Sequence, residues 1–428
     1  MQFGASGNPC DQTIFSVAST MAASATLPIE NDLLLVEGGQ TTSVEEENAG
    51  AGVPHVPFDP EKLDVKTKPL TLDSLVKRLT HNEIELSPDF QRRAHLWTNE
   101  RKSRLIESIL LRIPLPVFYF AAKDADHWLV VDGLQRLSSI QQFVLNKSDP
   151  LVLSGLEYLT DLEGKKWSDL PRSYVRRFEE YEITVHIIQP VHDKTVMTSI
   201  FRRINTGGLP LSDQEIRHAL FQGPGSEWLG RIVEHPMFKA STEGKIDDSR
   251  MEARECILRY LAFYTYGWEN YSLSREDAGY NTLGSFLDRA MERLNLASDQ
   301  DRDKWEDDFI RASTAAKNIL GRYAFRKVYA TDSGIRRGPI NKALYEAWMV
   351  SLTDLTEKQI QRLVTSKGRV LETFERVLHA QSTEENRSSG SGAPVTLMSA
   401  ISATTGDTAR VHCRHRVIRE ILKECLDN

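Results

Sequence analysis

The run His127-Trp128-Leu129-Val130-Val131-Asp132-Gly133-Leu134-Gln135-Arg136 gathers an acid, a glycine, an amide and a guanidinium behind a short apolar stretch. The β-branched run ending in Asp-Gly reads as a buried strand that meets a turn. Leu137, Ile140, Phe143 and Val144 recur at helical spacing directly afterwards, so a helix opens at the glycine. Such a junction is a natural phosphate site, because the first helical N–H groups lack intrahelical partners and carry the positive end of the dipole. Gly133 would let the backbone approach an anion closely, and Arg136 would add a bidentate donor on the first turn. Asp132 is placed to hold a divalent metal or to orient the arginine. An ordinary strand–turn–helix, with Arg136 a solvated cap and Asp132 accepting from a backbone N–H, fits the same residues. The phosphate reading predicts an exposed guanidinium, so that Arg136→Ala removes ligand affinity and leaves the fold intact.

The elements around the junction follow from periodicity. Leu70–Leu79 has the pattern of an amphipathic helix. A second helix is capped by Thr98 or Asn99, with Leu105, Ile106, Ile109, Leu110 and Ile113 as its stripe and Pro114 and Pro116 as its stop. Val117-Phe118-Tyr119-Phe120 follows as a buried strand. Ile183, Val185 and Ile187 alternate with Thr184 and His186 as another. The stretch 56–190 is therefore a small mixed-sheet α/β lobe. From 191 to 428 the period becomes helical, beginning with Lys194–Ile204, which ends at Asn205-Thr206-Gly207-Gly208. Next comes a helix opened by the Ser212/Glu215 capping box. Further helices are expected over Glu255–Tyr266, Leu283–Leu294, Asp307–Ile319, Asn341–Leu352, Glu357–Val364 and Val417–Cys425, with no sheet beyond residue 220. Residues 1–55, with the acidic cluster Glu45-Glu46-Glu47, read as a flexible arm. The fold class is α+β.

Composition limits the function classes. A chain of 428 residues has room for two or three cores. It holds no apolar run of about 20 residues, so no membrane partner is expected. The four cysteines, Cys10, Cys256, Cys413 and Cys425, are widely spaced, and there is no secretory signal pattern, which suits a cytoplasmic protein. A net charge of −7 gives no global attraction for nucleic acid, so any DNA contact must be local. The segment Gln91–Arg112 offers one, with six Arg/Lys against two Glu; a solvated helix face is the plainer reading.

Four ordered segments resemble the N-terminal domain of GmrSD-type modification-dependent restriction enzymes, a family with a D-G-Q-Q-R motif and a ParB/sulfiredoxin-like fold. They are Pro88-Asp89-Phe90-Gln91-Arg92 with Trp97; Ile106-Glu107-Ser108-Ile109-Leu110 with Ile113-Pro114-Leu115-Pro116; Asp132 to Arg136; and Phe201-Arg202-Arg203-Ile204-Asn205-Thr206-Gly207. Arg250-Met251 before Cys256-Ile257-Leu258-Arg259-Tyr260-Leu261 adds to the likeness, which runs from about residue 57 to the end. The resemblance implies an anti-phage defence protein with a nucleoside triphosphate at Gly133-Leu134-Gln135-Arg136, and hydrolysis that controls DNA cleavage.

On that basis Asp132, Gln135 and Arg136 are the candidate catalytic residues. Gln91, Arg92, Gly133, Arg136 and Asn205 are the candidate nucleotide contacts, and Asp132 is the candidate ligand of Mg²⁺ or Mn²⁺. Each has a plainer role open to it: Arg92 as a partner of Glu107 or Asp89, Asn205 as a helix cap, Trp97 as a core or lid aromatic. One departure stands out, since Leu134 replaces the family's first glutamine and removes an amide that could position water.

Three functions remain open: a nucleoside triphosphatase, a metal-dependent nuclease using Asp132, and a non-catalytic sensor. Partners would be DNA, a separate nuclease or defence subunit, or a second copy of the chain. The tail pattern His412-Cys413-Arg414-His415 with Cys425 is short of a convincing zinc set, and Asp126-His127 reads as structural.

Overall fold

The computed structural model describes residues 34–35, 41–42, 44–45, 64–85, 97–124, 126–189, 197, 200–201, 204, 211–273, 280, 282–331, 334–380 and 395–427. Five strands form the central sheet: β1 (Val65–Thr71), β2 (Ile84–Glu85), β3 (Phe118–Ala122), β4 (Trp128–Asp132) and β5 (Glu182–Ile188), in the order β1-β5-β3-β4-β2. β1–β5 and β3–β4 are antiparallel, whereas β3–β5 and β2–β4 are parallel, so the sheet is mixed.

The apolar pattern explains which strands lie inside. β3 and β4 are apolar on consecutive positions because both of their faces are covered. Phe118, Phe120, Trp128 and Val130 pack with four helices: α1 (Leu72–Thr80), α2 (Asn99–Leu110), α3 (Leu134–Val144) and α4 (Arg172–Glu179). On the opposite face Ala121, Leu129, Val131 and Ile188 pack against Met197, Ile200 and Phe201, and against Ile216 and Ala219 of α5 (Asp213–Leu220). β5 alternates, with Ile183, Val185 and Ile187 buried and Glu182 and Thr184 exposed.

The mixed α+β class is as the sequence predicts, and so are the Thr98 cap and the Ser212/Glu215 capping box. Several details differ. Leu70 and Thr71 finish β1, and the first helix starts at Leu72 with Thr71 as its cap. Ile113 is 46% exposed, beyond the end of α2, because Arg112 turns the chain at φ +60.

Packing on the sheet continues past residue 190. Met197, Ile200 and Phe201, with Ile216 and Ala219 of α5, pack on the second face of the sheet. α5 at the same time reaches the helical lobe, where Arg217 donates to Asp288 at 2.7 Å.

The helical lobe includes α6 (Pro224–Val233), α7 (Pro236–Ser241), α8 (Glu252–Tyr266), α9 (Leu283–Leu296), α10 (Asp299–Leu320), α11 (Lys342–Thr353), α12 (Glu357–Thr365), α13 (Lys367–Leu378), α14 (Leu397–Ser402) and α15 (Thr408–Asp427). The expectation of no sheet beyond residue 220 fails at one place, the antiparallel hairpin β6 (Arg326–Thr331) and β7 (Gly334–Ile340). Its strands flank Asp-Ser-Gly, a turn signal that the strong helical periodicity on either side had masked.

The arm is not wholly detached either. Val44 is 1% exposed and bridges Ile340, and Glu45 pairs with Lys327 at 2.5 Å and accepts from Asn341 at 3.0 Å. Among the described residues no helix is long and apolar enough to cross a membrane.

One buried carboxylate fixes the loop behind α2. Glu107 accepts from the backbone N–H groups of Glu157 (3.1 Å), Tyr158 (2.7 Å) and Leu159 (2.8 Å). Desolvation pushes its pKa up, but those donors and Arg104 outweigh burial and hold the carboxyl below its ordinary value. Glu107→Ala should cost about 2–4 kcal/mol, since it strands three backbone donors. Glu107→Gln should cost less. Because the folded value lies below the ordinary 4.5, the stabilisation is complete above that pH and is lost as pH falls through the folded value. Denaturant titrations between pH 7 and pH 3 should therefore show a steeper acid loss for wild type than for Glu107→Gln. Parallel curves would rule out the clamp.

Candidate functional site

Strand β4 reaches its Asp-Gly end through an irregular register. Phe120 pairs with Val130, yet Tyr119 pairs with Asp132, so Val131 bulges and the strand end is re-aimed. Gly133 then takes φ +100 and stands at the N-cap of α3, with no side chain capping the helix. The glycine is required twice. Its backbone is left-handed, and a Cβ there would lie 2.5 Å from Cδ1 of Phe118. The close approach expected at this glycine is thus filled on that side by a phenyl ring. Asp132 does not cap the helix; its Oδ2 accepts from Arg136 instead.

Arg136 departs most from expectation. The spacing suggested an exposed guanidinium, but its side chain is only 11% exposed and that of Asp132 is 28% exposed. Its Nη1 donates to the Pro116 carbonyl, and its Nη2 donates to the Val117 carbonyl at 3.1 Å and to Asp132 at 2.8 Å. The guanidinium also lies 4.2 Å from the centre of the Phe118 ring. Burial pulls its pKa down from the ordinary value, and the Asp132 charge opposes that. Two prolines, Pro114 and Pro116, restrict the loop that presents the two carbonyls.

The arrangement unites Asp132, Gly133 and Arg136 around Phe118. Gln135 is half-buried on the first turn of α3, and its carbonyl accepts from Ser139 at 2.7 Å. Gln91, Arg92 and Asn205 lie outside the described residues. Ile204 packs against the same apolar cluster as Tyr119 and Leu134.

Residues 74–222 match the GmrSD restriction endonuclease N-terminal domain. No curated protein and no solved structure matches the chain. The GmrSD match covers β2 to β5, α2 to α5 and the Asp-Gly junction, and it extends past residue 190 to include the helices that close the sheet. It supports a restriction or defence-related function.

Sequence reasoning missed the acceptors that hold Arg136, and it missed Tyr119 and His186. The alternation of β5 was enough to turn His186 away from the core shared by Val185 and Ile187. The basic segment also changes character. Lys102 is buried and donates to Gln142 at 2.9 Å, Arg104 pairs with Glu157 at 3.1 Å, and Arg101 lies over Trp97 at 4.4 Å. His127 pairs with Asp124 at 2.9 Å on an exposed turn, so its acid partner is Asp124 and not the adjacent Asp126. Among the described residues no group of three His, Cys, Asp or Glu could hold a metal, the tail around His412 included.

Arg136→Ala should destabilise the domain by about 3–5 kcal/mol, the usual cost of removing one partner from a buried ion pair. Arg136→Lys keeps charge but not the planar fork and should fall between. Urea midpoints measure both. An alanine variant within about 0.5 kcal/mol of wild type would mean that the buried contacts carry nothing.

Proposed function

We propose that this chain is a bacterial defence protein that binds a nucleoside triphosphate at the β4–α3 junction and uses its hydrolysis to control DNA targeting. The observation that carries the reading is the uncapped, glycine-led start of α3 directly behind a carboxylate locked by a buried arginine. Backbone donors there face no competing side-chain cap, and a phosphate suits them. The match of residues 74–222 to the GmrSD restriction endonuclease N-terminal domain adds the defence context. In this reading Arg136 is a positioning residue. Its donors are taken up by Pro116, Val117 and Asp132, so its main work is to fix Asp132 and the β3 entry against the helix start.

Asp132 does not make a metal site by itself, being one carboxylate with one oxygen engaged by Arg136. A Mg²⁺ or Mn²⁺ carried by the nucleotide needs only one or two protein carboxylates. Asp132 fits that demand and would supply one contact, and the cation would neutralise phosphate charge. A second reading, nucleotide sensing without turnover, is favoured by Leu134, which is partly buried against both apolar clusters and offers no amide to orient water. In either case a separate nuclease subunit or DNA would be the partner that responds.

Calorimetry with the four nucleoside triphosphates, with and without Mg²⁺ and DNA, tests the binding, and phosphate release tests the turnover. Asp132→Asn keeps the size and a hydrogen-bond acceptor but is a poor Mg²⁺ ligand. It should retain metal-free affinity within about threefold and lose at least about tenfold in metal-dependent turnover. Full metal-dependent turnover in Asp132→Asn would remove the metal role. Failure of wild type to bind any of the four would remove the nucleotide reading itself.

A further inference from the structure

A row of polar and aromatic side chains crosses the sheet beside the junction. Thr67, His186, Tyr119 and Asp132 are successive cross-strand partners on β1, β5, β3 and β4. Thr67 Oγ1 and His186 Nδ1 are 2.7 Å apart, and the His186 and Tyr119 rings are 4.9 Å apart between centroids at an angle of 38°. The two rings are half-buried and Thr67 is exposed. Among the described residues neither the Tyr119 hydroxyl nor His186 Nε2 has a hydrogen-bond partner.

Ile188, Ala121 and Leu129 are buried under Ile200 and Phe201, whereas Thr184 and Thr67 on the β1 side are exposed. Tyr119 borders the apolar cluster, and among the described residues its hydroxyl makes no hydrogen bond.

We infer that Tyr119 and His186 form the wall against which the base of the bound nucleotide stacks. The inference rests on the nucleotide reading of the junction. Tyr119 faces Asp132 across the ladder, where paired Cα atoms are about 5 Å apart, and it packs in one cluster with Leu134, the first residue of α3. Phosphates at the start of α3 therefore leave the rest of the nucleotide next to these rings. The pair offers a π-face for any base, a hydroxyl, and an imidazole oriented through Thr67, so it fits a planar heteroaromatic ring with polar edges.

The test uses the full chain with two probes: whichever of ATP, CTP, GTP and UTP binds tightest, and inorganic tripolyphosphate, which has no base. Tyr119→Ala and His186→Ala should each weaken nucleotide binding, Tyr119→Ala by about five- to a hundredfold, the usual range for losing one stacking partner. Tripolyphosphate affinity should stay within about twofold, and Tyr119→Phe should keep most of the nucleotide affinity because the ring remains. Unchanged nucleotide binding in both alanine variants would overturn the wall and leave the phosphate site standing. Equal losses for both probes would also overturn it, since the rings would then be serving the phosphate cradle or the fold. If wild type binds neither probe, the nucleotide reading fails and the wall falls with it.

Discussion

A guanidinium buried beside the first turn of a helix must find acceptors, because an unpaired charge out of water costs several kcal/mol. Arg136 finds three of them on two separate pieces of chain: the Pro116 and Val117 carbonyls ahead of β3, and Asp132 at the end of β4. Its own backbone belongs to α3. A single side chain therefore fixes the relative position of one loop, one strand end and one helix start. Phe118 completes the joint, lying under the guanidinium and against the only residue type that leaves room for it, Gly133. The chemistry of the junction is consequently the chemistry of a rigid corner, with Asp132 held in one orientation before any ligand arrives.

The same economy appears where the lobes meet. α5 lays Ile216 and Ala219 on the sheet while Arg217, fully buried, is held by Asp288 and by Gln214 of its own helix. One short helix thus has an apolar side toward one lobe and a charged side toward the other. Deeper in the helical lobe Glu346 is fully buried between Arg259, whose Nε lies at 2.5 Å, and Arg414, whose Nε lies at 2.8 Å. Lys342 and Glu255 pair at 2.8 Å nearby. Replacing such pairs by apolar residues is often neutral or stabilising, so their worth is in register more than in net energy. Helices α8, α11 and α15 can be packed together in few ways once both arginines must reach one carboxylate.

Much of the architecture was legible because periodicity records burial. β3, β4 and α3 have apolar residues wherever a neighbour covers them, and the caps at Thr98 and Ser212 are local chemistry that needs no tertiary knowledge. What could not be read depends on contacts distant in sequence. Arg136 has the composition of an exposed first-turn cation; only the approach of residues 116–117, about twenty positions upstream, shows that it is interior. Val44 and Glu45 sit in a polar, acidic stretch, and their docking is decided by the β7 edge, Lys327 and Asn341 near the far end of the chain. The hairpin itself was hidden by strong helical patterns on either side. His186 was visible in the alternation of its strand, but its significance required Tyr119 to arrive from another strand.

Leu134 brings these threads together. It opens α3 and is partly buried against the cluster on each face of the sheet. A glutamine in its place would have to send an amide into apolar surroundings or turn it outward toward the junction, since an unsatisfied buried amide is costly. The leucine resolves that conflict in favour of packing and leaves the junction with one fewer polar group. What remains for a ligand is chiefly backbone: the uncapped start of α3 and the free edge of a carboxylate already committed to Arg136. In the reading proposed above, such a site would recognise phosphate through the helix start and leave turnover dependent on what accompanies the phosphate. On that proposal a single side chain at position 134 would separate binding from turnover, without disturbing the corner that Arg136 holds.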